Sequence, residues 1–262
     1  MKILPRSVTK RFIGKWRRLL VVNLVAAWQA TGVAFHSKAN TNGECVILVH
    51  GLGRTSLSMK RLEWNLARAG YEVINFSYPS RQFSIEQLSE ERLHRVATGP
   101  AAREAAKVHF VTHYMGGIVV RHYLKTHELE NLGSVVMLAP PNQGSELADL
   151  LKRNAIGRWI LGPGGCELGT SETDLPKQLQ AVHFDTGIIA GNVSLNPWFS
   201  RILSGEDDGK VSVESTRVLG MNEMRVVPYS HTWMAWRLKT IHQVLAYLQN
   251  QSFSSSAVFH DE

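Results

Sequence analysis

Past residue 43, short apolar runs rich in β-branched residues alternate with longer segments whose apolar residues recur at helical spacing. This alternation is typical of βαβ units around a parallel sheet. The predicted strands are residues 45–50, 71–78, 108–112, 132–139, 186–191 and 224–228. The predicted helices are residues 58–68, 85–97, 118–125 and 237–249. The pattern therefore predicts an α/β fold with a mostly parallel, doubly wound sheet over residues 44–250, followed by a flexible tail over 251–262.

The stretch 142–183 interrupts this regularity between two predicted core strands, and it contains four closely spaced glycines at positions 162, 164, 165 and 169. A long irregular connection of this kind is typical of a cap or lid over a pocket. Its apolar residues fit either the lining of that pocket or a buried cap helix, and the sequence leaves both interpretations open. These residues are Leu147, Leu150, Leu151, Ile156, Trp159, Ile160 and Leu161.

The N-terminal segment, residues 1–43, has a different pattern. Seven of the 29 basic residues lie in its first 18 positions without an acidic residue, and residues 19–35 then carry no charge. A basic region followed by a short apolar region resembles a secretory signal or a signal anchor. Asn23, Gln29 and Gly32 interrupt the apolar run too often for a regular transmembrane helix, so an amphipathic helix on a membrane surface or on the protein itself is the alternative. We expect an exported or membrane-associated protein that contacts a membrane surface through residues 1–35, with a cytoplasmic protein as the alternative.

The formal net charge of +7 comes from the basic N-terminus and does not describe the rest of the chain. Beyond the basic N-terminus the chain has 22 basic and 22 acidic residues, so the folded body is close to neutral and binding to nucleic acid is not expected. Cys45 lies in an apolar run and Cys166 in a glycine-rich loop, which does not indicate a disulfide. The 11 histidines show no metal-ligand spacing, and neither a phosphate-binding loop nor a dinucleotide fingerprint is present, so we expect no metal and no cofactor.

Residues 108–117 (VHFVTHYMGG) are the most informative segment for chemistry. A strand that runs directly into two glycines and a helix places the residue before them on a sharp turn, which is the position of a nucleophile elbow. Gly116 allows the start of the helix to pack closely against a strand, and the first N–H groups of the helix point toward whatever binds above the turn. A serine at position 114 would complete a site for acyl transfer, but the chain has Tyr114 there.

Five segments occur in one order along residues 44–250: HGLG at 50–53, THYMGG at 112–117, APPN at 139–142, DDGKV at 207–211 and SHT at 230–232. In these segments the chain resembles the α/β-hydrolase superfamily, specifically its bacterial serine esterase and lipase branch. The resemblance implies an α/β-hydrolase sheet with a cap insertion at about 142–183. It also implies a carboxylic ester hydrolase whose substrate is a small-molecule or lipid ester.

The resemblance also assigns roles to individual residues. It implies that Asp208 is the acid of a catalytic triad, with Asp207 as the alternative, and that His231 is the general base. It places the nucleophile position at Tyr114, and it places the oxyanion hole at the backbone N–H groups of Leu52 and Met115. The neighbouring histidines, His50 and His113, are expected to support the backbone and not to take part in catalysis.

Tyr114 changes the expected activity. A tyrosine hydroxyl lies roughly 4 Å farther from its own Cα than a serine hydroxyl, so it cannot occupy the same point beside the base and the oxyanion hole. The elbow also favours a positive φ, which is strained for a bulky residue. We therefore expect impaired hydrolase activity. Three explanations stay open: an inactivating substitution, an inactive enzyme that binds a lipid or acyl ligand, or a nucleophile elsewhere in the chain.

Overall fold

The structure is a computed structural model that describes residues 43–255 and the backbone of residues 34–37. Residues 1–33 and 38–42 of the predicted N-terminal signal, anchor or amphipathic segment (1–43) lie outside the described residues, as does the tail from residue 256 onward, whereas residues 34–37 of that segment form a β-strand. In the described part of the chain, no helix combines the length and the apolar character needed to cross a membrane.

A seven-stranded sheet forms the centre of the fold, with the strand order β1-β3-β2-β4-β5-β6-β7. Strand β1 pairs antiparallel with β3 at one edge, and all other neighbours are parallel, so the predicted mostly parallel sheet is confirmed. The strands are β1 (Ala34–Ser37), β2 (Glu44–Val49), β3 (Glu72–Phe76), β4 (Lys107–His113), β5 (Leu132–Leu138), β6 (Thr186–Gly191) and β7 (Glu223–Val227). The sequence pattern missed β1, because four residues are too few to show a strand period and its pairing with β3 is a tertiary contact.

Ten helices surround this sheet in the described residues, and three short 3₁₀ turns at 56–59, 214–216 and 234–236 accompany them. The helices are α1 (Lys60–Arg68), α2 (Ile85–Gln87), α3 (His94–Ala97), α4 (Pro100–Glu104), α5 (Met115–Thr126), α6 (Glu146–Leu151), α7 (Ala155–Cys166), α8 (Leu175–Gln178), α9 (Pro197–Ser200) and α10 (Leu238–Asn250). The predicted helix 85–97 is one helical stretch in which π-helical residues 88–93 join α2 to α3. The prediction that a helix begins at residue 118 was wrong: α5 begins at Met115, so Gly116 and Gly117 lie in its first turn.

Strand β2 shows why the sheet needs helices on both faces. Cys45, Ile47 and Val49 belong to the apolar core that includes α5, whereas Val46 and Leu48 belong to the core that includes α1 and α10. Successive side chains of a strand point to opposite faces, so a strand without polar positions must be covered twice. The continuous apolar runs of the sequence thus produce the doubly wound arrangement.

The connection from β5 to β6 contains α6, α7 and α8. Leu147 and Leu161 are buried, as the buried-helix interpretation expects. Ile156, Trp159 and Ile160 instead face outward, with exposed fractions of 72%, 73% and 45%. The interpretation of this apolar set as one buried helix is therefore wrong for the outer face of α7, because that face has no layer of the fold above it in the described residues.

The chain after α10 does not leave the fold at once. Phe253 is buried, its ring lies 4.8 Å from that of Tyr247, and its backbone N–H donates to the Glu223 carboxylate at 2.6 Å. The expected flexible tail therefore does not begin at residue 251, because burial of this aromatic ring holds the chain against α10.

Candidate functional site

Tyr114 lies at the turn between β4 and α5, with φ +52° and ψ −121°. The positive φ expected at this position is therefore present, in a region that bulky side chains rarely adopt. The backbone on both sides of the turn holds this conformation. The Tyr114 N–H donates to the Leu138 carbonyl at 2.9 Å, and the Gly117 N–H donates to the Tyr114 carbonyl at 3.0 Å.

Two glycines bring neighbouring backbone against this turn. A methyl group on Gly116 would collide with the Val49 carbonyl and would lie 2.8 Å from the His50 carbonyl oxygen, so α5 begins in direct contact with the end of β2. A methyl group on Gly51 would lie 3.2 Å from the Tyr114 Cβ. The loop after β2 consequently packs directly on the turn.

Asp208 and His231 form a buried pair in two loops that follow β6 and β7. The His231 Nδ1 donates to Asp208 Oδ2 at 2.7 Å, and both side chains are almost fully buried. The other Asp208 oxygen accepts from the backbone N–H groups of Lys210 and Val211, each at 2.9 Å. The His231 N–H donates to the Asp208 carbonyl at 2.9 Å, so backbone contacts as well as side chains fix the pair.

The choice between the two adjacent aspartates, which the sequence left open, has a geometric answer. Asp207 Oδ1 accepts from the Gly209 N–H at 2.7 Å and from the Ser200 hydroxyl at 3.1 Å. Asp207 therefore stabilises the turn, and Asp208 is the aspartate that contacts His231.

The Tyr114 side chain lies between this pair and α6. Its ring meets the His231 ring edge-on at a centroid distance of 5.1 Å. The side chain of Ser145, which caps the N-terminus of α6 by accepting from the Ala148 N–H, lies close enough to the Tyr114 hydroxyl to affect its pKa. Burial raises the pKa of Tyr114 to about 12, against the smaller lowering effect of the Ser145 side chain. The phenol is therefore neutral.

The histidine next to the turn is also neutral. His113 is buried with its ring 4.5 Å from that of His231. Burial, and then the positive charges possible on His231 and Lys210, lower the pKa of His113 well below its usual range. A neutral His113 adds no fixed charge beside the His231 ring.

His50 holds the loop after β2. Its ring stacks on that of Tyr78 at 4.2 Å, its Nδ1 donates to the Gly51 carbonyl at 3.0 Å, and its Nε2 accepts from the Tyr78 N–H at 3.3 Å. Burial lowers the pKa of His50 to about 4, which keeps the ring neutral. These contacts agree with the supporting role expected for His50.

The two N–H groups expected to form an oxyanion hole belong to elements that meet at the turn. Met115 is the first residue of α5, where a backbone N–H has no carbonyl partner within the helix. Leu52 follows Gly51 in a turn closed by the Arg54 N–H, which donates to the Gly51 carbonyl at 3.2 Å. Met115 directly follows Tyr114, and Leu52 follows Gly51, which packs on the Tyr114 Cβ.

Sequence reasoning missed three residues around the site. Ser145 has the local signature of an N-cap, but its contact with Tyr114 spans 31 positions and leaves no local signal. Arg54 donates to the Thr232 hydroxyl at 3.2 Å and so reaches the loop of His231. Lys210 lies close enough to Asp208 and Arg54 for each to affect its pKa, which burial lowers. Within residues 43–255, no group of three or more His, Cys, Asp or Glu side chains is placed to hold a metal ion.

Comparisons with known proteins identify the architecture. No family model and no curated protein matches the chain at a significant level. Among solved structures, the chain is similar to a Bacillus licheniformis lipase in its mature form, with 17% identity and a TM-score of 0.64 over 85% of this chain and 99% of that one. It is similar to the phospholipase PlaB from Legionella pneumophila, with 20% identity and a TM-score of 0.60 over 80% of this chain and 60% of that one. It is also similar to a monoacylglycerol lipase from Paleococcus ferrophilus, with 19% identity and a TM-score of 0.55 over 84% of this chain and the whole of that one. The chain has the α/β-hydrolase fold.

Proposed function

We propose that the chain carries the site of a carboxylic ester hydrolase of the esterase or lipase type, with Tyr114 at the nucleophile position. In this proposal Asp208 is the acid and His231 the general base, and the N–H groups of Leu52 and Met115 bind the developing oxyanion. The observation that carries the proposal is the buried 2.7 Å Asp208–His231 pair beside a strand-to-helix turn with a positive φ. A histidine that is oriented by a carboxylate and faces a sharp turn is the arrangement that activates a nucleophile for acyl transfer.

The proposed chemistry requires a hydroxyl at the turn. With a serine there, the oxygen would attack the ester carbonyl while His231 Nε2 accepts its proton, and the two N–H groups would stabilise the tetrahedral oxyanion. Collapse of that intermediate would release the alcohol, which takes the proton from His231, and would leave an acyl group on the serine. Water would then attack the acyl group with His231 again as base; the acyl–serine bond would break, the carboxylic acid would leave, and His231 would return the proton to the serine oxygen. Asp208 would stabilise the imidazolium form in both half-reactions.

Tyr114 prevents the first step in this account. Burial raises its pKa to about 12, so little phenolate forms at neutral pH. The oxygen is also displaced by several ångströms from the point that the base and the oxyanion donors serve. We therefore expect strongly impaired hydrolysis by the unaltered chain.

Further assignments depend on this proposal. The β5–β6 connection, residues 142–183, would be the cap over the acyl pocket, within an α/β-hydrolase domain of residues 44–250. The substrate would be a small-molecule or lipid ester. Contact of residues 1–35 with a membrane surface, and an exported or membrane-associated location with a cytoplasmic one as alternative, stay predictions from the sequence.

A second function, binding of a lipid or acyl ligand without catalysis, is favoured by the Tyr114 side chain. Its exposed fraction is only 7%, and its hydroxyl lies near the Ser145 side chain at the N-terminus of α6. A ring held in this way covers the turn and does not supply an activated nucleophile there. A site that serves only binding would not need the Asp208–His231 pair, and this is how the two functions differ.

A serine hydroxyl at position 114 distinguishes the hydrolase function from the binding function. We expect Tyr114→Ser to hydrolyse p-nitrophenyl butyrate about 10³-fold faster than the unaltered chain, because only the nucleophile is missing. Tyr114→Ala is the matched control, since it removes the same ring without supplying a nucleophile, and it should stay at the background rate. Equal rates well above background for the unaltered chain and Tyr114→Ser would place the nucleophile elsewhere. A folded Tyr114→Ser protein without activity would favour the binding function.

A further inference from the structure

A cavity of about 640 Å³ opens beside the loop after β2. Its walls are formed by Gly53 and Arg54 of that loop, by the segment 78–82 and by residues between positions 158 and 166 of α7. Its volume lies within the range of small-molecule binding sites. Because Gly53 and Arg54 directly follow Leu52, the cavity and the proposed oxyanion donor belong to one loop.

Three arginines line this space, which we name the arginine cavity: Arg54, Arg81 and Arg158. None of the described residues along its walls is acidic. In the part of the chain that the structure describes, the ion pairs do not include any of these three arginines. Their positive charges are therefore not compensated inside the cavity.

Neutral contacts hold the three guanidinium groups in place. Arg81 lies over the Trp159 ring at 5.1 Å and donates to the Trp159 carbonyl at 3.0 Å. Arg158 donates to the Lys152 carbonyl at 3.0 Å, and Arg54 donates to the Thr232 hydroxyl at 3.2 Å. A guanidinium group has five N–H donors, so each of these arginines keeps donors for a ligand.

The walls that carry the arginines are fixed to each other. The Gly164 N–H donates to the Phe83 carbonyl at 3.0 Å, and the Gly53 N–H donates to the Ser80 hydroxyl at 2.9 Å. The cavity is thus a preformed space whose walls carry three positive charges. Guanidinium groups bind phosphate oxygens through paired hydrogen bonds, and several of them together match the charge of a phosphate dianion.

We propose that the arginine cavity binds the phosphate group of an acyl ester whose carbonyl group is presented at the Tyr114 turn. This inference rests on the proposed function, and it names the substrate class as phosphate-bearing acyl esters. Arg54 connects the two places, because it lines the cavity and also contacts Thr232, the residue after His231. The phosphate would lie in the alcohol part of the ester, away from the bond that is cleaved.

Calorimetric titration of the full chain with Tyr114 in place tests phosphate-ester binding by the arginine cavity without any hydrolysis. The probes are 1-hexanoyl-glycerol 3-phosphate below its micellar concentration, neutral 1-hexanoyl-glycerol, and inorganic phosphate. We expect the phosphate ester to bind at least about tenfold more tightly than either other probe, since only it uses both the arginines and the acyl region. We expect Arg81→Gln with Arg158→Gln to remove at least about tenfold of that affinity.

Arg68→Gln is the matched control, because Arg68 also lies over a tryptophan, Trp64, at 4.5 Å but belongs to α1. It should change the affinity less than about twofold, as expected for a distant surface charge. Arg158→Gln alone replaces an exposed side chain, so it is the control for a loss of affinity caused only by misfolding of the double variant. Equal affinity for the neutral ester, or an unchanged affinity in the double variant, would overturn the inference. Inorganic phosphate binding as tightly as the ester would do so too, because the acyl part would then add nothing.

The inference and the proposed function fail separately. If Tyr114→Ser hydrolyses p-nitrophenyl butyrate but the phosphate ester does not bind, the substrate class is wrong and the proposed function stands. If the phosphate ester binds through Arg81 and Arg158 but Tyr114→Ser is inert, the proposed function is wrong and the cavity is a phosphate-ligand site of a binding protein.

Discussion

The two sides of the candidate site differ in how closely they meet the needs of acyl transfer. On one side, Asp208 and His231 are buried, 2.7 Å apart, and tied to each other through the backbone as well. On the other side, the turn has the required backbone, with φ +52°, but it carries Tyr114, whose hydroxyl lies near the Ser145 side chain. The departure is thus confined to one side chain.

The backbone and the side chain at the turn therefore depend on different contacts. The close approach of Gly116 to β2 and of Gly51 to the turn fixes the backbone, and these contacts do not involve the Tyr114 ring beyond its Cβ. The acid–base pair is fixed by its own loops. A change at position 114 therefore leaves the geometry on both sides in place, which is why a single substitution is expected to restore catalysis.

The largest expected effect tests the acid–base side in the Tyr114→Ser background. Adding Asp208→Asn or His231→Ala should return p-nitrophenyl butyrate hydrolysis to background, a loss of about 10³-fold, because the serine then has no oriented base. Asp207→Asn is the control: that side chain contacts Gly209 and Ser200, so we expect a change below about tenfold. A rate that survives His231→Ala would show that another group acts as base.

The second-largest expected effect is on the free energy of unfolding, and it tests the backbone of the turn. Gly116→Ala should lower the free energy of unfolding by about 3 kcal/mol or more, because the added methyl group collides with the carbonyls of Val49 and His50, which cannot move independently. Gly117→Ala is the matched control in the same helical turn. Its methyl group would meet the Pro140 Cβ at 3.1 Å, so we expect a cost of about 1 kcal/mol. Urea denaturation measures both, and equal costs would contradict the close approach at Gly116.

The smallest effect tests the contact that distinguishes the two sides. A double-mutant cycle with Tyr114→Phe and Ser145→Ala should give a coupling free energy of about 1 kcal/mol, because the Ser145 side chain lies near the Tyr114 hydroxyl. Ser145→Ala alone should cost more than Tyr114→Phe alone, since it also removes the cap of α6. Additive effects in urea denaturation would mean that the phenol does not depend on Ser145.

The sequence predicted the parts of the fold that depend on local pattern. The apolar runs predicted every central strand, and β6 coincides with its predicted range, because both of its faces are buried and its ends are marked by polar residues. Strand β1 and the burial of Phe253 were missed because both depend on contacts distant in sequence. The start of α5 was placed too late because glycines commonly end helices, whereas Gly116 here is needed for close packing against β2.

The same distinction applies to the site. The resemblance to esterases and lipases selected Asp208, His231 and the turn at Tyr114 through motif order, and the structure brings these three residues together. The choice between Asp207 and Asp208 needed coordinates, because adjacent residues in a turn point in different directions. Ser145 and the arginine cavity were not predicted, since their members come from segments far apart in the chain and no motif joins them.

The central claim, that the site lacks only its nucleophile, is tested most directly by trapping position 114 with a reactive alkyl fluorophosphonate. A phosphonate bond forms only where a hydroxyl, its base and the oxyanion donors act together. Peptide mass spectrometry should find one phosphonate adduct on residue 114 in Tyr114→Ser, and none there in the unaltered chain or in Tyr114→Ser combined with His231→Ala. A folded Tyr114→Ser protein that stays unmodified at residue 114, or an adduct at another residue of the unaltered chain, would contradict the account.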